Sequence, residues 1–209
     1  MLEQLASDFL DKSWELHTGY STVFMAELIR TFGVSNALQV MGGMGRAQAA
    51  LEKHHSLMIA QLSLGVAGLW NGCRFCGCGH LLAANLLYFR ETGKLYPIDE
   101  RIVLELEKMD FPSVRARIAE LLSAPEHQKE AAALDRLMAI QLGAPVADDE
   151  KDRALKLGID VWAIVNECST VVSFDLDLDV VPALSTIAKD KPLQKRYRIA
   201  RGRPRPGES

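Results

Sequence analysis

The sequence predicts an all-α protein, and three observations carry that expectation. Apolar residues recur three and four apart over most of the 209 residues, which is the spacing of an amphipathic helix. Alternating β-branched runs, the mark of half-buried strands, are few. The apolar runs are separated by glycine, proline and capping residues, which start and stop helices.

Taken in order, residues 3–32 place Leu5, Phe9, Leu10, Trp14 and Leu16, then Val23, Phe24, Leu28 and Ile29, on helical spacing with a break near Gly19. Ser35 is a suitable N-cap for a second helix through Ala37, Leu38 and Met41, interrupted around Gly42-Gly43. Residues 47–70 read as one long, increasingly apolar helix stopped at Asn71-Gly72. The cysteine-rich stretch after it opens another helix, which runs through Leu81, Leu82, Leu86 and Leu87 to about Thr92-Gly93. Pro97-Ile98-Asp99-Glu100 begins a short helix capped by Asp99, Pro112 begins one reaching Leu121, and Pro125 opens a segment containing Leu134, Leu137, Met138 and Leu142. Gly143-Ala144-Pro145 is a loop. Residues 148–172 form the last long helix or helix pair, with Asp148-Asp149-Glu150 favouring its start through the dipole. A Pro182-led segment reaches Ala188.

Composition narrows the function classes. A hydrophobic share of 48% and a charged share of 24% are ordinary for a globular chain of this length, which can bury a sizeable core. The start, Met1-Leu2-Glu3-Gln4-Leu5, lacks the basic and apolar regions of a secretory signal, so a cytoplasmic protein is expected. There a close cysteine pair more often serves catalysis or metal binding than stapling. The net charge of −3 divides unevenly: residues 189–209 carry eight Lys/Arg against Asp190 and Glu208, whereas residues 1–188 sum to −9. The acidic body gives no general affinity for nucleic acid. The basic end, with Pro192, Pro204, Pro206 and Gly207, reads as a solvated, partly disordered tail. The apolar run Leu57 to Trp70 is fourteen residues, short of the roughly 20 a membrane span needs. It is expected to be a core helix, and no membrane partner is expected.

The chain also echoes itself at an offset of 95 residues. Asn71-Gly72-Cys73 aligns with Asn166-Glu167-Cys168, each after an apolar helix, while Val171 stands where Cys76 does and Asp175 where His80 does. A helical domain over 1–188 is therefore read as two related units: a motif-bearing one over about 35–95 and a degenerate one over about 130–188. Chance similarity between two apolar helices explains the echo as well.

The chemistry concentrates in Asn71-Gly72-Cys73-Arg74-Phe75-Cys76-Gly77-Cys78-Gly79-His80, which holds three of the four cysteines. On a helix, Cys73, Cys76 and His80 fall on one stripe. A free thiol has a pKa near 8.5, and a helix N-terminus, a second cysteine or a histidine lowers it. With the preceding helix broken at Asn71-Gly72, all three influences are expected to act here. His80, one turn after Cys76, can accept the thiol's proton, and Cys73 can close a disulfide once Cys76 is oxidised.

These residues, Asn71-Gly72-Cys73-x-x-Cys76-x-x-x-His80 after a long apolar helix, resemble the AhpD-like alkylhydroperoxidase branch of the carboxymuconolactone decarboxylase superfamily. The close resemblance covers about residues 50–95. It implies an all-helical, oligomeric thiol enzyme that reduces hydroperoxides or the disulfides of partner proteins. No cofactor or metal is expected, and the sequence does not identify the reductant. Residue by residue, it implies Cys76 as the attacking thiol, Cys73 as the resolving thiol and His80 as the proton relay. One position departs from the pattern: the family glutamate twelve residues before the first cysteine is Gln61 here. An amide cannot exchange a proton at neutral pH, so Gln61 can only orient His80 or a water, which puts efficient peroxide turnover in doubt.

Other readings of the same residues stay open. Cys73, Cys76, Cys78 and His80 are all zinc-capable, but one helix cannot wrap four ligands so close in sequence around an ion. An iron–sulfur site would need Cys168 as its fourth ligand. The thiols can also be inert core residues of a binding or assembly module. Cys78 points about 200° from Cys76 on a helix and reads as a small buried residue. His54 and His55 are candidates for a pocket or for the surface. Trp14, Trp70, Trp162, Met41, Met44 and Met58 read as packing residues. Asp175, Asp177 and Asp179 alternate but lack the glycine and glutamate of a calcium loop.

Overall fold

The computed structural model describes residues 2–173, 177–204 and 207. Among them there is no strand, and the chain is all-helical. The α-helices are α1 (Leu2–Thr18), α2 (Met25–His54), α3 (Leu57–Trp70), α4 (Arg74–Thr92), α5 (Val103–Leu106), α6 (Phe111–Leu121), α7 (Gln128–Gln141), α8 (Glu150–Ser173) and α9 (Lys191–Ala200), joined by short 3-10 turns. No helix among these residues is long and apolar enough to cross a membrane.

The centre is the antiparallel pair α3–α4. Every residue of α3 from Ile59 to Gly68 is buried, as a helix apolar on all sides must be. Its start is fixed by Ser56, whose hydroxyl accepts the Ile59 N–H at 3.1 Å. Its end is fixed by Gly72, at φ +75°, where the backbone reverses. The two helices approach closely because glycines face each other: a Cβ on Gly68 would lie 2.8 Å from Gly77 N and 2.9 Å from Cys76 Cβ. α2 and α8 pack on this pair and on each other, and α1 lies along α2. A carboxylate clip holds α1 in place, with Asp11 accepting from Thr22 N at 2.7 Å and from Thr22 Oγ1 at 2.8 Å.

Three expectations about the elements need correction. The helix expected over 47–70 is two, broken at His55-Ser56, because the Ser56 cap starts a new axis. Gly42-Gly43 does not interrupt α2, which keeps helical backbone through both residues; the kink is instead at Gly33, at φ 74° and ψ 162°. The basic end is not a solvated tail up to Arg203. Asp190 caps α9, Leu193 and Tyr197 are each 1% exposed, and Tyr197 donates to Glu100 at 2.5 Å. Arg203 pairs with Asp99 and Glu100, and Arg201 donates to Tyr96 O at 2.9 Å. The i, i+4 apolar pair and two waiting carboxylates supply the burial and charge partners that a net charge count does not show.

The sequence echo does not extend to local structure. The chain turns at Gly72, whereas α8 runs unbroken through Asn166-Glu167-Cys168. Asp175 lies outside the described residues. Asp177 caps a 3-10 turn and Asp179 pairs with Arg101, so both have structural work.

Candidate thiol site

The turn at Gly72 makes Cys73 the N-cap of α4. Its backbone is extended, its N–H donates to Gly68 O at 2.9 Å, and its sulfur accepts the Cys76 N–H at 3.2 Å. A cysteine thus occupies the place usually held by serine or aspartate. Cys76 sits in the first turn beside it, and both side chains are fully enclosed, at 0% and 1% exposure. All four cysteines are free thiols. Cys78 points elsewhere, toward Leu178 O at 4.0 Å, and burial raises its pKa.

The expected lowering of the Cys76 pKa does not occur. Burial pushes the thiol well above its ordinary range, the Cys73 sulfur adds to the rise, and a hydrogen bond with Ser169 of α8 pulls the other way. Magnitudes explain the balance. A helix N-terminus favours a negative charge by about 0.3–1 kcal/mol, up to about 2 in partly buried geometry, while removing an ion from water costs several. Cys76 therefore rests as a protonated thiol.

His80 is enclosed at 4% exposure and has both ring nitrogens engaged. Trp162 Nε1 lies 3.1 Å from Nε2, and Gln61 Oε1 lies 2.8 Å from Nδ1. A tryptophan N–H only donates, so Nε2 is the acceptor, Nδ1 carries the proton, and Gln61 must present its oxygen. Burial lowers the His80 pKa to about 3, which keeps the ring neutral. The proton acceptor expected for Cys76 is therefore capped by Trp162. The carboxylate missing at position 61 is not replaced among the ring's hydrogen-bond partners in the described residues. The same geometry leaves the Gln61 Nε2 donor without a partner at 0% exposure, which costs about 1–3 kcal/mol.

Cys76 and His80 share the wall of a cavity of about 20 Å³, room for about one water-sized group. Trp14 of α1, Tyr20 and Phe24 ahead of α2, Met44 and Gln48 of α2, Trp162 and Val165 of α8, and Leu184 complete it. Cys73 is not among the lining residues. Leu184 is held by its N–H donating to Gly79 O at 2.9 Å. The sequence reading missed the contribution of α8. Trp162, Asn166 and Ser169 form an i, i+4, i+7 stripe that meets His80, Ala67 O (3.4 Å) and Cys76 respectively. Polar groups at helical spacing inside an apolar helix were the available signal.

The remaining candidates lie apart from this site. His54 is 3.8 Å from Glu150, and His55 Nε2 is 3.3 Å from Lys151 O, both beside the start of α8. His127 packs among Tyr88 and Tyr96. Cys168 is buried beside the Glu27–Arg30 pair. Among the described residues no three His, Cys, Asp or Glu side chains converge on a point that could hold a metal ion. Comparison of the chain with protein-family models, curated proteins and solved structures returns no match.

Proposed function

We propose that Cys73 and Cys76 are a redox-active dithiol that reduces a small hydroperoxide. The observation that supports this most is the cavity wall: Cys76 faces a water-sized space beside His80, while Cys73 sits one turn back with its sulfur at the Cys76 amide. In the proposed reaction the Cys76 sulfur, as thiolate, attacks the distal oxygen of ROOH. The O–O bond breaks, the alcohol leaves, and Cys76 becomes a sulfenic acid. The Cys73 thiol attacks that sulfur, water leaves, and a Cys73–Cys76 disulfide remains. A small dithiol or a thiol protein restores the pair by exchange. The enclosure of both sulfurs favours a peroxide over a partner protein's disulfide, which needs a sulfur at the surface.

In this reading His80 is a neutral orienting group rather than a relay. It holds Trp162 and Gln61 in place around the cavity, and the rate is limited by the small thiolate fraction at Cys76. The opposing reading, an inert buried pair, is favoured by the raised thiol. One experiment separates the two. Reduced protein is treated with equimolar hydrogen peroxide, blocked with an alkylating agent after denaturation, and mapped by mass spectrometry. A peptide carrying the Cys73–Cys76 disulfide is expected, with Cys78 and Cys168 alkylated. Cys76→Ser should consume no peroxide, and Cys73→Ser should stop at a sulfenic acid trapped by dimedone. Full alkylation of all four cysteines after oxidant would overturn the proposal.

A further inference from the structure

The wall of the Cys76 cavity is thin at one place. Trp14 and Gln48 are partly exposed, whereas the other side chains around the cavity, Cys76 and His80 included, are buried. The shortest way from solvent to the sulfur therefore passes between Trp14 of α1 and Gln48 of α2. The far side of the cavity is fixed. Trp162 is tied to His80 at 3.1 Å, and Leu184 is held on Gly79 O at 2.9 Å, packed so closely that a Cβ on Gly79 would collide with it. The mouth is held less firmly: Gln48 bonds only to Glu52, one turn along its own helix at 2.8 Å, and Trp14 meets the Tyr20 ring edge-on, with centroids 6.2 Å apart.

Size and polarity then choose among peroxides. The space of about 20 Å³ holds about one water-sized group. Hydrogen peroxide, two oxygens one bond apart, is little larger than that. An organic hydroperoxide brings a carbon group on its second oxygen, and the alcohol it leaves behind overfills the cavity. Trp14 also supplies a buried Nε1 that has no acceptor in hydrogen-bonding geometry. A peroxide oxygen offers such an acceptor, and a hydrocarbon group does not.

We infer that the substrate of this site is hydrogen peroxide itself, and that Trp14 and Gln48 set its selectivity against organic hydroperoxides. The inference rests on the dithiol reading and narrows its substrate. In the Cys76 step one O–O bond breaks and one S–O bond forms, and the proton given up by the thiol ends on the leaving oxygen. The peroxide is thereby reduced to one water, a product the cavity can hold, and Cys76 is oxidised to the sulfenic acid. Attack by the Cys73 thiol forms the disulfide and releases the second oxygen as water.

The test is the rate at which the reduced full chain forms the Cys73–Cys76 disulfide with hydrogen peroxide and with cumene hydroperoxide. Each rate is divided by that of the same oxidant with free N-acetylcysteine, which removes the oxidants' intrinsic difference. The corrected ratio should favour hydrogen peroxide by at least about a hundredfold, because several added carbons overfill a closed cavity. Gln48→Ala and Trp14→Ala widen the mouth, and each should cut that ratio by about tenfold or more, by speeding cumene hydroperoxide. Gln48 gives up only its bond to Glu52, so its variant carries the test if Trp14→Ala loses helix content by circular dichroism. A corrected ratio near one in the parent overturns the selectivity and leaves the dithiol reading standing. A ratio unchanged in the folded variants overturns the role of Trp14 and Gln48. No disulfide with either oxidant overturns the dithiol reading, and this inference with it.

Discussion

The chain passes an asparagine followed two residues later by a cysteine twice, and treats the two places in opposite ways. At Asn71–Cys73 the helix ends, the backbone reverses at Gly72, and the cysteine caps a new helix with its sulfur on the Cys76 amide. At Asn166–Cys168 the helix continues, Asn166 donates sideways to Ala67 O, and Cys168 is buried against another part of the protein. Three residues further on, Cys76 is 1% exposed and Val171 is 66% exposed. The difference lies in the middle residue and in what faces it. A glycine permits the reversal that brings two cysteines to a helix start, and a glutamate does not. The thiol pair is a product of the break rather than of the cysteine spacing alone.

The largest difference between the two stretches is a buried base. His80 has a pKa near 3 in the fold against 6.5 for an ordinary histidine, and its contacts, Gln61 and Trp162, do not titrate. Below pH 6.5 the unfolded chain takes up a proton that the folded chain refuses. Stability is therefore lost as pH falls, at roughly 1.4 kcal/mol per unit until about pH 3, and the effect is absent above 6.5. His80→Gln keeps an acceptor for Trp162 and a donor for Gln61. Urea midpoints of this variant should fall less steeply between pH 6 and pH 4 than those of the parent. Parallel slopes would show that His80 titrates normally and is not enclosed.

Next in size is the helix contact. Gly68 leaves no room for a Cβ against Gly77 N and Cys76 Cβ, and the atoms in the way are backbone and near-backbone. Gly68→Ala must push α4 off α3 and should cost about 2–4 kcal/mol by denaturant unfolding. The residue 95 positions later, Ala163, is exposed in mid-helix, so Ala163→Gly should cost only about 1 kcal/mol, through helix propensity. Equal costs would remove the argument that close packing holds the first turn of α4 in place.

The turn itself should show a smaller effect. At Gly72 φ is +75° with nothing within 4 Å, so Gly72→Ala meets backbone strain and no clash, a cost of about 1–2 kcal/mol. Glu167→Ala, in the continuous helix, should be near neutral because alanine suits a helix interior. If Gly72→Ala also unfolds at the parent's midpoint, the reversal is not what separates the two stretches.

How far the sequence carries can be judged from single residues. The stop at Asn71-Gly72, the break at Gly19, the Asp99 cap and the loop at Gly143 are legible because each is local: one or two residues satisfy or forbid a backbone geometry. The Ser56 cap is hidden because no glycine or proline stands near it and helix-compatible residues lie on both sides, so the sequence reads on while the axis changes. α9 is hidden for the opposite reason, its lysines and arginines outweighing Leu193 and Tyr197 in composition although those two set its burial. At the site, the thiols and His80 are local and visible. The partner that decides the state of His80 is Trp162, 82 positions away, and no spacing rule reaches that far. The thiol's own acidity is misjudged from sequence for a related reason: helix start and neighbouring groups are visible there, but enclosure by Trp14, Tyr20 and Leu184 is not.

The smallest expected effect bears most directly on the two stretches. Val171→Cys places a thiol three residues after Cys168, which reproduces the spacing of Cys73 and Cys76 on an unbroken helix. Position 171 is 66% exposed and Cys168 is 4% exposed, so one side chain points to solvent and the other into the core. An interior helical turn also offers neither sulfur an amide to cap. Under the oxidant treatment proposed to close Cys73–Cys76, the introduced thiol and Cys168 should both remain open to alkylation after denaturation. A second disulfide formed at a comparable rate would mean that spacing alone makes a competent pair, and that the break at Gly72 serves the fold rather than the chemistry.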